Sequence, residues 1–416
     1  MTARLDTGSW LVTADRVLAG TGLQVLHHGA VHVADGVIRH IGREADLATL
    51  PHPATRLDLG DATLLPGLID AHVHLGFDAG PDPVSVMRRQ HDDEQLALMA
   101  RNAASMLRAG VTTVRDLGAR GDLDRVLADR IAAGMVPGPR LVTVTRPITT
   151  VRGHCWFMGG ECANADAVAE AVRRHHDHGA DLIKIMVTGG FMTNRTAPGA
   201  PQFTRAEVRT AVETAHGLGM RVAAHAHGTE GIAMAVEEGV DTLEHCTWVG
   251  RKGLEFAPHI ADLMARRETY VCPTVNSNAR NPAGRIDWRQ RSRHLAAMRN
   301  AGVRLIGGTD AGIEHIAHHA YASGLEIMTD IGMTHQEVLA AATTHAATAL
   351  GIADRTGNLA PGMAADLLGV AGNPLTDLPA LHHPTFVMAR GRLVHHGSVR
   401  HHTPPRTGTN REGALS

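Results

Sequence analysis

The stretch LLPGLIDAHVHL, residues 64–75, decides how the rest of the chain is interpreted. Its first half is apolar and carries a Pro-Gly turn signal, which predicts a strand that enters a buried sheet. Its second half places His72 and His74 two residues apart. In a strand this spacing puts both imidazoles on the same face, where two neutral nitrogens can bind one metal ion. Histidine is abundant, at 29 of 416 residues, so the pair gains weight only from further candidate ligands.

Strand and helix patterns alternate between residues 64 and 356. The eight strand-like segments are 64–75, 111–116, 140–144, 182–187, 221–225, 242–245, 269–274 and 304–310, and helical patterns between them include 94–109, 165–178, 204–217 and 229–238. Eight successive βα units predict an α/β fold of the (β/α)8 TIM-barrel type, whose chemistry lies at the C-terminal strand ends. An open, doubly wound sheet is the alternative, but it does not require eight units.

The two ends of the chain carry short alternating patterns that predict antiparallel strands. These patterns lie at 10–13, 29–33, 36–42, 363–370 and 385–394. We expect residues 1–63 and 357–400 to form one small composite β-sandwich beside a hydrolase barrel at 64–356. The sequence is polar from His396 onward, and residues 401–416 are predicted to be a tail without structure of its own.

Composition excludes several classes of partner. The chain has 40 basic and 42 acidic residues, so nothing argues for nucleic acid or an anionic membrane. No apolar run reaches the ~20 residues that span a bilayer, and the N-terminus lacks a signal-peptide pattern. We therefore predict a cytoplasmic protein with no nucleic-acid or membrane partner. Four scattered cysteines predict reduced thiols and no disulfide framework.

Residues of metal-ligand type fall at the ends of the predicted parallel strands. They are His72, His74, Lys184, His225, His227, His245 and Asp310. Because a barrel brings these strand ends together, the set predicts a metal-dependent hydrolase. Asp116 is expected to be a structural or supporting acid, and His315, His318 and His319 either contact substrate or form a solvated cluster.

Lys184 is one of only two lysines in the chain, in a background of arginine. A cationic amine between Ile183 and Ile185 would be repelled by nearby divalent ions. A lysine that has reacted with carbon dioxide carries an anionic carbamate, whose two oxygens can bridge two metals. The alternative is an ion pair with Asp181 or Glu244.

The order of motifs resembles the amidohydrolase superfamily, in the branch of imidazolonepropionases and prolidase-like Xaa-Pro and Xaa-Arg dipeptidases. The resemblance covers nearly the whole chain. The motifs are PGLIDAHVHLG (66–76), RDLG (115–118), GHCWFMGGE (153–161), IKIMVTGG (183–190), QFT (202–204), AAHAHGTEGI (223–232), VDTLEHC (240–246), GGTDAG (307–312) and GNLAPGMAADL (357–367). One departure is Cys155, in a loop where similar sequences usually have glycine.

The resemblance implies a two-metal site. His72, His74 and Asp310 would bind one divalent ion, His225 and His245 the other, and carbamylated Lys184 would bridge them. Two zinc ions would then convert a bridging water to hydroxide for attack on an amide carbon. Asp310 is predicted to transfer the proton to the leaving amine, and His227 to stabilise the oxyanion. Spacing alone leaves open whether His225 or His227 is the ligand.

The substrate is less defined than the chemistry. The first hypothesis is an N-acyl amino acid or dipeptide whose free carboxylate is bound by His154 and Arg195, although Arg195 is equally explained as a surface residue. A second hypothesis is removal of a follower segment during the maturation of a peptide natural product. A third is hydrolysis of a cyclic amide, as in imidazolonepropionase. The non-enzymatic alternative is a metal-binding or interaction protein, and a homo-oligomer is possible.

Overall fold

The computed structural model describes residues 8–47, 54–397 and 400–402. The strands are β1 (Trp10–Ala19), β2 (Gln24–Ala34), β3 (Val37–Arg43), β4 (Thr55–Asp58), β5 (Ala62–Pro66), β6 (Leu68–Val73), β7 (Val111–Asp116), β8 (Arg140–Thr143), β9 (Thr149–Thr150), β10 (Glu161–Cys162), β11 (Leu182–Met186), β12 (Arg221–Gly228), β13 (Thr242–Gly250), β14 (Gly253–Leu254), β15 (Tyr270–Cys272), β16 (Leu367–Ala371), β17 (Pro384–Ala389), β18 (Arg392–His396) and β19 (Arg400–His402). The helices are α1 (Glu44–Leu47), α2 (Pro83–Arg89), α3 (Asp92–Arg108), α4 (Leu123–Ala132), α5 (Ala165–Asp177), α6 (Arg205–Gly217), α7 (Thr229–Glu237), α8 (Pro258–Arg266), α9 (Trp288–Asn300), α10 (Tyr321–Ile327), α11 (His335–Ala341) and α12 (Thr344–Ala349), with 3-10 turns at Trp156–Met158, Met328–Ile331 and Leu378–His382.

The two ends of the chain together form one nine-stranded mixed sheet. Its order is β18-β17-β16-β5-β1-β2-β3, and β4 pairs with both β1 and β19. β1 runs antiparallel to β2 and β2 to β3, as predicted, whereas β1 pairs in parallel with β4 and β5. The expectation of an unstructured tail is wrong at its start, because Arg400–His402 forms β19 against β4. Residues 403–416 lie outside the described residues.

The opening stretch 64–75 is two strands, not one. β5 belongs to the mixed sheet and pairs antiparallel with β16, whereas β6 begins the parallel strands. Gly67 lies between them, and a Cβ there would meet Thr112 Oγ1 at 2.1 Å, so only glycine fits. The predicted boundary between residues 63 and 64 therefore falls inside β5.

The parallel strands carry the middle of the chain. β6, β7 and β8 form one parallel set, and β11, β12, β13 and β15 form another. Single parallel bridges join Ile148 to Ile185, Val271 to Leu305 and Val73 to Ala311. Segment 304–310, the eighth predicted strand, is held by single bridges: Leu305 within it pairs with Val271, and Ala311 directly after it pairs with Val73. Every residue of β6, β7 and β11 is buried, as is typical of parallel strands that are covered on both faces.

Helices cover the parallel strands where the sequence predicts them. The predicted helices 94–109, 165–178, 204–217 and 229–238 correspond to α3, α5, α6 and α7 within two residues at each end. Thr204 caps α6 in a capping box with Glu207, which fixes where this helix begins. The four cysteines are unpaired and buried. Within the described ranges, no helix combines the length and the apolar character needed to cross a bilayer.

Candidate active site

The first group of ligand-type residues lies at the end of β6 and beside the bridge that follows segment 304–310. Asp310 Oδ1 lies 3.3 Å from Nε2 of His72 and 3.3 Å from Nε2 of His74. The other ring nitrogen of His74, Nδ1, lies 3.3 Å from the carbonyl oxygen of Gly118. Burial raises the pKa of Asp310, but the charge and hydrogen bonds of His72 and His74 outweigh it and hold the pKa well below its usual range. Two imidazole nitrogens and a carboxylate oxygen therefore converge, as a divalent ion requires.

The second group comes from two adjacent parallel strands. His225 and His227 lie on β12 and His245 on β13, and their ligand atoms lie within 4.8 Å of one another. The ring centroids of His225 and His245 are 4.6 Å apart, and those of His227 and His245 are 4.5 Å apart. Burial lowers the pKa of all three imidazoles well below the ordinary value, so they are neutral and able to bind a metal.

Hydrogen bonds select which nitrogen of each ring faces the cavity. His225 Nε2 lies 3.0 Å from the Gly189 carbonyl, which leaves Nδ1 available. His227 Nδ1 lies 2.9 Å from Thr247 Oγ1, which leaves Nε2 available. His245 Nδ1 lies 3.0 Å from Thr274 Oγ1. Each of the three rings can offer a nitrogen, so the geometry keeps open whether His225 or His227 is the ligand.

Lys184 lies on β11 in the same cavity and is fully buried. Its Nζ has no hydrogen-bond partner among the described residues. The ion pairs that would explain it are absent there: Asp181 accepts from the Thr143 backbone and hydroxyl, and Glu244 binds other groups. Burial lowers the pKa of Lys184 to about 8. A buried amine without a partner fits a group that is completed by a covalent or metal-linked ligand.

Glu244 fixes the orientation of the His72 ring in the first group. Its Oε2 lies 2.8 Å from His72 Nδ1, and its Oε1 accepts from the Arg115 guanidinium at 2.8 Å. Arg115 also donates to the Ala71 carbonyl and to Thr242 Oγ1. Burial raises the pKa of Glu244, but Arg115 and His72 outweigh it and keep the carboxylate ionised. Because the carboxylate accepts the proton on Nδ1, Nε2 is the nitrogen of His72 that a metal ion would use, on the side of Asp310.

The two groups of ligand-type residues and Lys184 line one cavity of about 440 Å³, a size typical of small-ligand sites. Its walls also include residues from β13, from α9 and from the loops that follow the strands. Among them are His154, Cys155, Phe191, Thr247, Asn276, Arg291 and His315.

Several residues at this cavity have left-handed backbone, although none is glycine. The φ angles are +58° at Cys155, +68° at His245, +48° at Thr274 and +63° at Asp310. Residues with a Cβ adopt this region only when the surrounding structure holds them there, and such strain clusters at functional sites.

Comparison with known proteins identifies the family. A model of the amidohydrolase family matches residues 63–394. The chain belongs to the amidohydrolase family. It is 28% identical to ochratoxinase from Aspergillus niger over 425 residues, covering 92% of this chain and 86% of that protein. It is 30% identical to imidazolonepropionase from Paracoccus denitrificans over 390 residues, covering 86% and 90%. A crystal structure of a Xaa-Pro dipeptidase with bound methionine is 29% identical, with a TM-score of 0.81 and coverage of 92% and 99%.

In this amidohydrolase most of the predicted site residues lie together. All six predicted metal ligands and His227 line the cavity, and so does His154. Arg195 is exposed on the loop after β11 and does not line the cavity in the described parts of the chain. Asp116 is buried and accepts from the backbone N–H groups of Leu75 and Gly118, which fits the supporting role expected of it.

The three histidines after segment 304–310 have separate environments. His315 lines the cavity, whereas His318 is buried with Nε2 3.2 Å from the His74 carbonyl. They do not behave as one solvated cluster. His319 is not among the residues that line the cavity within the described ranges.

The amidohydrolase site also contains Arg291, which sequence reasoning missed. Arg291 lies on α9 and donates to the carbonyl oxygens of His245 and Pro273. The run WRQRSRH that begins α9 offers several arginines at similar spacing, so no sequence signal distinguishes Arg291 from its solvent-facing neighbours. The role of Arg115 could not be predicted either, because the sequence does not show that its side chain is buried and pairs with Glu244.

Proposed function

We propose that this amidohydrolase cleaves the amide bond of N-acyl amino acids or dipeptides that end in a free carboxylate. The observation that carries the proposal is one cavity that brings together two buried donor groups, His72–His74–Asp310 and His225–His227–His245, with the unpartnered amine of Lys184. A relative that is an ochratoxinase and a structural neighbour that is a Xaa-Pro dipeptidase support amide substrates.

The donor set fits two divalent ions, for which we propose zinc. His72, His74 and Asp310 would hold one ion, His225 and His245 the other, and carbamylated Lys184 would join them. Nitrogen donors with a few carboxylate oxygens are typical of zinc sites. When bound, the ions lower the pKa of water toward neutrality and polarise the amide carbonyl. A carbamate would turn the orphaned Lys184 amine into an anion that suits two cations.

Asp310 and His227 have the positions needed for proton transfer and for stabilising the oxyanion. Asp310 is ionised and borders both donor groups, since its Oδ2 also lies 4.0 Å from His245 Nδ1. It would accept a proton from water and pass it to the departing nitrogen. When Thr247 donates to His227 Nδ1, Nε2 carries the proton and can donate to the carbonyl oxygen of the substrate.

We propose Arg291 as the anchor for the substrate carboxylate, in place of Arg195. Arg291 lines the cavity, and its Nε is buried without a partner among the described residues. Burial lowers the pKa of Arg291 to about 10, so the side chain stays cationic at neutral pH. A carboxylate would supply the missing acceptor and the missing counter-charge.

We also infer that the parallel strands close into the predicted (β/α)8 barrel. The bridges from Val271 to Leu305 and from Val73 to Ala311 place segment 304–310 between β15 and β6. The bridge between Ile148 and Ile185 joins the two parallel sets on the opposite side. In this arrangement all candidate ligands face the same end.

The test combines metal analysis with a substrate panel. Two divalent ions per chain are expected from elemental analysis of protein prepared without chelator. The panel contains N-acetyl amino acids, dipeptides and the matching C-terminal carboxamides. Acids should exceed carboxamides in kcat/KM by about 10–100-fold, the value of a charge-assisted hydrogen bond, and Arg291→Met should abolish that preference. A single bound ion, or equal turnover of acids and carboxamides, would contradict the proposal.

A cyclic amide is the second candidate substrate, because an imidazolonepropionase is 30% identical over most of the chain. Turnover of a cyclic amide without turnover of any linear acid would favour it. Removal of a follower peptide, a cytoplasmic location and a homo-oligomeric state stay predictions.

A further inference from the structure

A second cavity of about 520 Å³ lies directly beside the first. The two cavities share Phe191, Met192, Arg285, Ile313 and Glu314 as wall residues. We call this second space the outer cavity, defined by Trp156, Phe157, Phe191, Met192, Arg88 and Arg285. None of the proposed metal ligands lines it, so the chemistry already described gives it no role.

The outer cavity is built from the loops that continue the strands of the active site. Trp156 and Phe157 lie on the 3-10 turn next to His154, and Phe191 and Met192 lie on the loop after β11. Arg88 lies on α2, which follows β6, and Glu314 lies four residues after Asp310. A substrate that is held at the donor groups and extends outward would therefore enter this space.

Aromatic side chains are concentrated in the outer cavity although the chain has few of them. The whole sequence contains four tryptophans, two tyrosines and six phenylalanines. Three of these, Trp156, Phe157 and Phe191, line this one cavity, and each is only partly buried. In a chain so poor in aromatic residues, three partly exposed rings in the wall of one cavity favour a ligand that stacks on them.

Charges around the outer cavity are balanced. The Arg88 guanidinium carbon lies 5.6 Å from the Trp156 ring centroid, and that of Arg285 lies 5.7 Å from the Phe191 centroid. Arg285 also pairs with Glu314 at 3.4 Å. Asp82 supplies a second acidic group and caps α2 through the Ser85 N–H. Because the walls contain two carboxylates and two guanidinium groups, the outer cavity favours a flat, uncharged group over an anion.

Phe191 connects the two cavities and sets the direction of the substrate. Its ring centroid lies 4.9 Å from that of His227, the proposed donor to the substrate carbonyl oxygen. Arg291, the proposed carboxylate anchor, lines the inner cavity and not the outer one. With the amino acid held near Arg291 and the carbonyl near His227, the group on the acyl side passes Phe191 into the outer cavity.

We propose that the outer cavity binds an aromatic acyl group, so that the preferred substrates are N-aroyl amino acids or dipeptides with an aromatic N-terminal residue. This assignment rests on the proposed amide hydrolysis for its orientation, but the cavity itself is tested independently of turnover.

The first experiment measures binding of 2-naphthamide, which carries an aromatic acyl group and no amino acid. Titration calorimetry on the metal-loaded enzyme should give a Kd about tenfold or more weaker for Trp156→Ala and for Phe157→Ala than for the wild type, the size expected for loss of an aromatic stack. The matched control is Met135→Ala, because Met135 is apolar and 73% exposed and lies outside both cavities. Equal Kd values in all four proteins, or 2-naphthamide binding no tighter than acetamide, would overturn the assignment.

The second experiment measures turnover. For the amino acids of the panel, kcat/KM of the N-(2-naphthoyl) form is divided by that of the N-acetyl form. The ratio should exceed about 10 in the wild type and in Met135→Ala, and fall about tenfold in Trp156→Ala. N-acetyl turnover with a ratio near one would refute the aromatic subsite while leaving the proposed function intact. Naphthamide binding that depends on Trp156, without hydrolysis of any amide, would support the subsite and refute the proposed function.

Discussion

Replacing Glu244 by glutamine tests whether the buried carboxylate below His72 supports both the fold and the metal site. Glu244 and Arg115 are each 0% exposed, and the carboxylate accepts from both Arg115 and His72 at 2.8 Å. Glutamine keeps the shape but removes the charge, so the Arg115 guanidinium is left buried without compensation. Breaking a buried pair in this way costs about 3–5 kcal/mol, which is the loss expected in the free energy of unfolding.

The amide also disturbs the tautomer of His72. If its NH₂ group faces His72, Nδ1 must accept and the proton moves to Nε2, where it blocks metal binding. If its oxygen faces His72, the NH₂ group opposes the Arg115 donors. We therefore expect the affinity for the ion at His72, His74 and Asp310 to fall about 10–100-fold, as for other supporting partners of metal-bound histidine.

Urea denaturation and zinc titration against a competing chelator measure the two effects of Glu244→Gln. The matched control is Glu268→Gln, at a surface pair with Arg304 in which Glu268 is 75% exposed; it should cost about 0–1 kcal/mol and leave zinc affinity unchanged. A loss below 1 kcal/mol in Glu244→Gln together with wild-type zinc affinity would refute the reasoning.

Three further predictions concern the proton-transfer group, the bridging lysine and a buried acid. Asp310→Asn should lower kcat by about 10²–10⁴-fold, because the amide cannot accept the proton, and turnover within tenfold of wild type would exclude the role. Lys184→Ala should lose one of two metal ions in elemental analysis and regain part of it with added formate, whereas full activity in Lys184→Arg would exclude a carbamate. Burial raises the pKa of Asp124 from 3.8 to about 7, with the nearby Asp116 adding to the rise, so the folded state binds a proton that the unfolded chain releases. The stability of the wild type relative to Asp124→Asn should therefore fall as pH rises from about 4 to 7, measured as the difference between their urea-denaturation midpoints; a difference that does not change with pH would contradict the assignment.

Much of the parallel part of the fold could be predicted because its strands are buried on both faces. The segments that begin at Val111 and Leu182 are rich in Val, Ile and Thr and follow turn residues, and they match β7 and β11 closely. Segment 304–310 could not be resolved in the same way. Its Gly307-Gly308 pair weakens any local strand preference, and only its neighbours fix its position.

The metal-ligand set could be predicted because ligand type and strand end coincide at each position. The residue that binds the substrate carboxylate could not be predicted. The sequence favours Arg195 because it lies in the loop after a strand that carries a candidate ligand, but an exposed arginine and a cavity arginine look alike in sequence. Arg291 reaches the cavity from a helix, at a position that depends on how α9 packs against β13 and the loop after β15. The outer cavity was hidden for the same reason, since its aromatic residues are distant in the chain.

The residues with left-handed backbone at the cavity lower the free energy of unfolding of the chain. Each costs about 1 kcal/mol or more relative to a residue that accepts this backbone freely, and glycine accepts it best. Selection for stability alone would therefore replace His245 and Asp310 by glycine, and only the chemistry opposes that drift. We expect a homologous protein with glycine at these two positions to keep the fold and to lack the activity. Such a protein could be identified from its sequence before any assay.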